Sequence, residues 1–120
     1  MQKYVFDTNA ILYAISQGVE IEKNMHSISV ITEMELLSYP QLTLQDEVML
    51  RGILSFFQHI ELTTEIKQQA IWLRKNTGLK LPDSIVAATA LITNCILLTS
   101  DKKLLKVPYI QSVSFEQVYQ

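Results

Sequence analysis

Short apolar runs alternate with amphipathic segments along the whole chain. Five runs rich in β-branched and aromatic residues predict β-strands, at 3–6, 27–31, 59–62, 95–99 and 109–113. Between these runs, apolar residues recur three and four positions apart, as at Ile66, Ala70 and Leu73, which is typical of helices that bury one face. This spacing and the helix-end residues predict helices at 10–16, 32–39, 43–57, 64–78 and 83–93, with a last helical turn after 114.

The order of these elements predicts the fold class. Strands that are separated by helices usually pair in parallel, with the helices covering both faces of the sheet. We therefore expect a three-layer α/β sandwich with a central, mainly parallel five-stranded sheet. A chain of 120 residues that is almost half apolar is expected to form one domain over residues 1–120.

Acidic residues stand where three of the apolar segments meet a loop. Asp7 follows the first predicted strand, Asp101 follows the fourth, and Asp83 begins a helix. Ligands of such sheets bind beyond the carboxyl ends of the strands, so these carboxylates are expected to share a site. At about 5 Å and an effective dielectric near 20, each pair would repel by roughly 3 kcal/mol. Mg²⁺ or Mn²⁺, which prefer oxygen ligands, would relieve that repulsion.

Each acidic residue also has an ordinary structural interpretation. Asp7 suits a turn after a strand, Asp83 suits the positive end of a helix dipole, and Asp101 suits a helix cap or a surface ion pair. Glu35 fits a capping box with Thr32 as the N-cap. Glu33 and Glu35 lie about 200° apart around a helix, so at most one of them can face a given site.

The charge balance argues against a generally basic nucleic-acid-binding surface. Ten basic and twelve acidic side chains give a net charge of −2. Binding of nucleic acid would therefore need a local patch or a bound metal ion. Lysines beside the acidic segments are candidates for substrate binding, although exposed Lys and Arg are common on any surface. These candidates are Lys80, Lys102 and Lys103, with Arg74 and Lys75 nearby.

No segment resembles a signal peptide or a membrane span, because the apolar stretch from Ile85 to Leu98 is short and interrupted by polar residues. Cys95 stands alone in an apolar run, which favours a small core residue in a reducing compartment. A cytoplasmic location is the expectation. Trp72 suits packing in the core or in a dimer better than a base-stacking platform, because Trp is usually well buried.

Taken together, the acidic segments resemble a PIN domain, and in particular the VapC-type ribonucleases that are toxins of toxin–antitoxin pairs. The resemblance spans nearly the whole chain, and its last two segments are the most specific. It rests on Phe6-Asp7-Thr8-Asn9, Ser29-Val30-Ile31-Thr32-Glu33-Met34-Glu35-Leu36, Leu81-Pro82-Asp83 through Ala90, and Leu97-Leu98-Thr99-Ser100-Asp101.

The resemblance implies a PIN-like fold and an acidic site made of Asp7, Glu35, Asp83 and Asp101. Glu35 matches better than Glu33, because the acid of the family precedes a Leu and stands three residues after a Thr. The polar residues implied beside the site are Asn9, Thr99 and, more weakly, Ser100. The implied activity is cleavage of RNA with Mg²⁺ or Mn²⁺. An antitoxin partner and a homodimer are also implied.

The chain departs from the resemblance in two places. Fewer residues separate Asp7 from Glu35 than in most such toxins, so the intervening helical hairpin is expected to be trimmed. After the Glu35 helix stands Ser38-Tyr39-Pro40, where relatives often carry a small residue. Both departures concern the partner surface and the substrate groove and leave the four acids intact.

Other functional classes fit less well. A haloacid-dehalogenase-like phosphatase needs a second Asp where this chain has Asn9, and a receiver domain needs a mid-chain Asp where the chain offers Glu61. The remaining alternative is a catalytically silent PIN-like domain that serves as an RNA- or protein-binding module.

Overall fold

The computed structural model describes residues 2–119 of the chain. Its strands are β1 (Tyr4–Phe6), β2 (Ser27–Ser29), β3 (Gln58–Ile60), β4 (Ile96–Leu98) and β5 (Ser112–Val113). Its helices are α1 (Thr8–Gln17), α2 (Val30–Leu37), α3 (Leu44–Leu54), α4 (Thr64–Thr77), α5 (Leu81–Ile92), α6 (Lys102–Leu105) and α7 (Phe115–Tyr119). The single domain predicted for residues 1–120 stays a prediction, because Met1 and Gln120 lie outside the described residues.

The strands form one five-stranded sheet in the order β3-β2-β1-β4-β5, and every pairing is parallel. The sheet is therefore wholly parallel, where the sequence predicted a mainly parallel one. Each strand connects to the next through at least one helix, which is how parallel strands are usually joined. All carboxyl ends of the strands meet at one edge, and the predicted α/β class is confirmed.

The two central strands bury side chains on both of their faces. Val5 and Leu97 point into one core with residues of α4 and α5, such as Leu73 and Ala87. Phe6 and Leu98 point into a second core formed by the helices of the opposite face. Strands covered on both sides are apolar throughout, which explains why these runs do not alternate between apolar and polar residues.

Helix α5 is the most buried helix, since every residue from Ser84 to Ala90 is buried. Its alanines allow it to pack closely between the sheet and α4. Its polar side chains bond back to the helix, as Thr89 does by donating to the Ile85 carbonyl at 2.7 Å. The start of α5, where Asp83 lies, is consequently fixed relative to the sheet.

The start of α2 differs from the prediction. The predicted strand through Ile31 ends at Ser29, which is the N-cap of α2 and accepts a hydrogen bond from the Ile31 amide at 3.1 Å. Thr32 lies inside the helix, is fully buried, and its hydroxyl is the buried side-chain group without a partner among the described residues. The capping box predicted from Thr32 and Glu35 is therefore wrong.

Other helix boundaries shift slightly. Thr43 and Asp46 form a capping box at the start of α3, which ends at Leu54 instead of 57, and the chain turns there to bury Phe57 in the core. Thr63 caps α4, and Gly78 ends this helix with a positive φ. Within the described residues, none of the helices has the length and hydropathy needed to cross a bilayer.

The start of α2 generates a stability prediction. Thr32→Val keeps the shape of the side chain and removes a buried hydroxyl that has no partner, so we expect it to raise the free energy of unfolding by about 1 kcal/mol. Ser29→Ala removes the N-cap and is expected to lower that free energy by about 1 kcal/mol. Urea denaturation of both variants measures the two effects. Destabilisation by Thr32→Val would contradict this description of the helix start.

Candidate carboxylate site

A pocket of about 340 Å³ opens at the carboxyl edge of the sheet, above β1 and β4. All four acidic residues of the predicted site line it, although they come from distant parts of the chain. Its lining consists of Asp7, Thr8, Asn9, Glu35, Ser38, Tyr39, Asp83, Val86 and Asp101. The parallel topology therefore brings together the acids that the sequence only suggested were neighbours.

Asp7 lies directly beyond β1 and is only 7% exposed. It is the N-cap of α1, and its Oδ1 accepts a hydrogen bond from the Ala10 amide at 2.8 Å. Its own amide donates to the Leu98 carbonyl of β4 at 3.1 Å. Strand pairing and helix capping thus fix this carboxylate from both sides.

Thr99 connects Asp7 to Asp101. The Thr99 hydroxyl lies close enough to the Asp7 carboxylate to act towards lowering its pKa, and it accepts the Asp101 amide at 3.0 Å. Asp101 is in turn the N-cap of α6, where its Oδ1 accepts from the Lys103 amide at 2.8 Å. The structural roles predicted for Asp7 and Asp101, a turn and a cap, therefore coexist with their place in the pocket.

Asp83 lies in the first turn of α5, whose N-cap is Lys80, and Pro82 precedes it. No side chain caps this helix, so the carboxylate at its positive end is not used in a capping bond. Lys80 and Lys103 both act electrostatically on Asp83, which places two of the predicted substrate-binding lysines beside the pocket.

Glu35 faces the pocket from α2, and its Oε1 accepts a hydrogen bond from the Thr8 hydroxyl at 2.5 Å. Glu33 points elsewhere, with its Oε2 lying 3.3 Å from His59 Nδ1. The helical phase therefore separates the two glutamates as the sequence predicted. Thr8 was missed because its partner lies 27 residues away, beyond the range of any local pattern.

Burial and mutual repulsion act on the carboxylates. Burial is the largest influence that raises the pKa of Asp7; bonds from Thr99 and the Ala10 amide oppose it, while Asp101 and Asp83 add to it. The pKa of Asp83 is also raised, first by burial and then by the charges of Asp101 and Glu35, against Lys80 and Lys103. Both shifts favour the neutral acid, so a cation in the pocket would relieve an existing strain.

The remaining predicted residues differ in their positions. Asn9 lines the pocket, Thr99 lies fully buried beneath it, and Ser100 is exposed and absent from the lining. Thr8 and Val86 also line it, although no local pattern singled them out as site residues. Trp72 is 43% exposed and packs edge-on against Tyr109 outside this pocket, so the core position is wrong, whereas packing in a dimer stays a prediction.

Comparison with known proteins identifies the same family as the resemblance in the sequence. The family model described as the PIN domain matches residues 4–109. The chain belongs to the PIN domain family. The resemblance drawn from the acidic segments is thereby confirmed for a stretch that holds all four acids of the pocket.

Solved structures of similar fold cover nearly all of this PIN domain. A toxin–antitoxin complex from Klebsiella pneumoniae is 30% identical, with a TM-score of 0.78 over 96% of this chain and 98% of that one. DNA-bound VapBC from Salmonella typhimurium is 20% identical, with a TM-score of 0.82 over 96% and 99%. VapBC2 from Rickettsia felis, bound to a promoter DNA fragment, is also 20% identical, with a TM-score of 0.79 over 94% and 98%. Among curated protein sequences, none matches significantly.

The donor set of the pocket fits a hard divalent cation, because four carboxylates offer only oxygen ligands. Within residues 2–119, however, no three acidic, His or Cys side chains already stand as a ligand group. The two observations are compatible. Carboxylates without a cation between them repel one another, and this repulsion keeps them farther apart than the ligands of a bound ion.

The raised pKa of Asp7 generates a second prediction. A carboxyl whose pKa is higher in the folded protein than its unfolded value near 3.8 favours unfolding once the pH exceeds both values. Asn can still cap α1, so Asp7→Asn is expected to raise the Tm in EDTA at pH 7 by a few degrees, as about 1 kcal/mol does in a domain of this size. The gain should be complete above the folded pKa and disappear as the pH falls towards 3.8.

Thermal unfolding followed by circular dichroism between pH 4 and 8 measures this effect. An Asp7→Asn protein that is less stable than the wild type at pH 7 in EDTA would show that the carboxylate stabilises the fold.

Proposed function

We propose that this PIN domain is a metal-dependent endoribonuclease and the toxin of a toxin–antitoxin pair. The observation that carries the proposal is the convergence of four carboxylates, from four separate elements, in one pocket of a PIN domain. The family assignment supports a nuclease. Metal dependence and the choice of RNA are the finer parts of the proposal.

Asp7, Asp83 and Asp101, with Glu35 beside them, are the residues that would hold Mg²⁺ or Mn²⁺. When bound, the cation would let an anionic phosphodiester approach four carboxylates and would stabilise charge on the leaving oxygen. The positions of Asp7 and Asp101 are set by their own capping bonds and by Thr99. Such preorganisation lowers the cost of assembling the site when substrate binds.

Glu35 is suited to orient the attacking water and to accept its proton. It is the one acid of the pocket carried by α2, and the Thr8 hydroxyl fixes its Oε1. In this role the water oxygen would form the new bond to phosphorus, its proton would pass to Glu35, and the bond to the 3′-oxygen would break. Thr8 acts here as a positioning residue.

Lysines around the acidic edge would hold the RNA backbone. Lys80 and Lys103 are exposed and lie close enough to Asp83 to influence its charge, and Lys102 stands in the same short helix as Lys103. A chain with a net charge of −2 has no general attraction for RNA, so such local positive charges are needed.

A cognate antitoxin is the partner we propose, and a homodimer is the proposed assembly. The antitoxin is supported by the similar solved structure from Klebsiella pneumoniae, which is a toxin–antitoxin complex. The chain also leaves apolar surface uncovered, including Leu44 and Val48 on α3 and a groove of about 550 Å³ beside Ile53 and Phe56. This larger groove lies away from the carboxylates and is suited to a protein contact rather than to the chemistry.

The alternative is a silent PIN-like domain that only binds RNA or protein. The presence of all four acids in one pocket favours catalysis, because a binding module has no use for a group of repelling charges. Cleavage by the purified protein separates the two functions.

The cleavage experiment measures the rate of RNA cutting by the wild-type protein and by variants of the carboxylate site. Labelled single-stranded and structured RNAs are incubated with Mg²⁺, with Mn²⁺ and with EDTA. We expect cutting in either metal and none in EDTA. Asp7→Asn and Glu35→Gln are expected to lose at least 100-fold in rate, because each removes a charge from the site.

Glu33→Gln is the matched control, since Glu33 lies on the same helix but contacts His59 instead of the pocket. It should cut at close to the wild-type rate. Equal losses in Glu33→Gln and Glu35→Gln would contradict the assignment of Glu35. Cutting by Asp7→Asn at the wild-type rate would overturn the site as a whole.

The lysine assignment is tested by the salt dependence of RNA binding. Lys80→Gln and Lys103→Gln are each expected to weaken binding and to reduce the slope of log affinity against log salt by about 0.7, the value for one phosphate contact on a single strand. Lys67→Gln, an exposed lysine of α4, is the control and should leave the slope unchanged. Unchanged slopes for all three variants would contradict the assignment.

A further inference from the structure

Tyr39 is an aromatic side chain in the wall of the carboxylate pocket. It follows Ser38, the C-cap of α2, and it lines the same pocket as Glu35 and Asp83. The side chain is 42% exposed. Its carbonyl accepts the Leu42 amide at 3.1 Å, and Pro40 restricts its backbone, so the ring stands on a fixed turn.

The other four tyrosines of the chain use their rings for packing. Tyr4 pairs with His26, Tyr13 with Phe115, Tyr109 with Trp72 and Tyr119 with Phe6 and Phe115. Tyr39 alone has no aromatic partner among residues 2–119, and its hydroxyl makes no hydrogen bond to them. Aromatic pairing and hydrogen bonding within the described residues therefore do not account for the ring at this position.

We propose that Tyr39 forms a nucleobase subsite, in which its ring stacks on an unpaired base next to the scissile phosphate. The proposal rests on the proposed nuclease function and adds a residue outside the acidic group, Tyr39, that contacts the substrate. A base in a duplex has both faces covered by its neighbours, whereas an unpaired base offers a free π-face to an aromatic side chain.

The electrostatics of the pocket favour a base at this wall. Four carboxylates repel the phosphates of the substrate, but a neutral base carries no charge for them to repel. Tyr39 and Val86 supply the apolar part of a lining that is otherwise acidic or polar. Trp72 is as exposed as Tyr39, but its ring contacts Tyr109 and lies outside the carboxylate pocket.

The experiment is a double-mutant cycle between protein and RNA. Binding of a six-nucleotide single-stranded RNA is measured with the Asp7→Asn protein, so that the RNA stays intact, and one nucleotide at a time is made abasic. We expect Tyr39→Leu to weaken binding of the intact RNA by about 5- to 150-fold. On the RNA that lacks the stacked base, Tyr39→Leu should cause no further loss.

Two further variants make the result specific. Tyr39→Phe keeps the ring and should bind like the parent protein. Tyr13→Leu removes a tyrosine of nearly equal exposure, 40%, that packs on Phe115 and does not line the pocket, and it should leave RNA affinity unchanged. Circular dichroism confirms that each variant is folded at the temperature of measurement.

The outcomes separate this inference from the proposed function. The subsite is overturned and the nuclease stands if the wild-type protein cuts RNA and Tyr39→Leu binds and cuts it normally. The same holds if Tyr39→Leu loses the same binding affinity on every abasic RNA as on the intact RNA. If the wild-type protein neither binds nor cuts RNA under any condition, both proposals fail. Normal RNA binding by Tyr39→Leu with loss of a protein partner would make Tyr39 a protein contact and overturn the subsite.

Discussion

The pairing register of the two central strands is the constraint on which the site depends. Phe6 lies opposite Leu98, so the next residues, Asp7 and Thr99, leave the sheet side by side. The hydroxyl of Thr99 then lies beside the carboxylate of Asp7 and accepts a hydrogen bond from the backbone amide of Asp101. A shift of either strand by one residue would turn these side chains to opposite faces of the sheet. The register is held because both faces of these strands are buried in apolar cores.

The same geometry holds four carboxylates close together, and their mutual repulsion is unfavourable. Interactions in several elements reduce this repulsion. Asp7 and Asp101 obtain hydrogen bonds as helix caps, Asp83 lies at the positive end of α5, and Glu35 is held by Thr8. These interactions do not remove the conflict, since the pKa values of Asp7 and Asp83 are still raised. A protein that keeps repelling acids together at the expense of stability is typical of one whose site is selected for function.

Much of this organisation could be predicted from the sequence, because it follows from local patterns and parallel topology. Apolar runs that end in Asp predict both the strands and the edge where the acids meet. Local patterns failed where two signals competed, as at Ser29 and Thr32, which are both able to cap a helix within a run of β-branched residues. They also failed for Thr8, whose partner Glu35 is brought near only by the completed fold.

The acids lie at the edge of the sheet, whereas Ser38 and Tyr39 lie on a turn. This separation allows the turn to change with the substrate while the acids stay the same. The residues suited to the chemistry are fixed by strand register and by the starts of helices, which tolerate little change. The segment after α2 is free of those constraints, since Ser38 and Tyr39 are exposed and neither belongs to a helix or a strand. A side chain on this turn can contact the substrate without disturbing the acids. Under the proposed function, selectivity among RNA segments is therefore expected to depend on this turn rather than on the carboxylates.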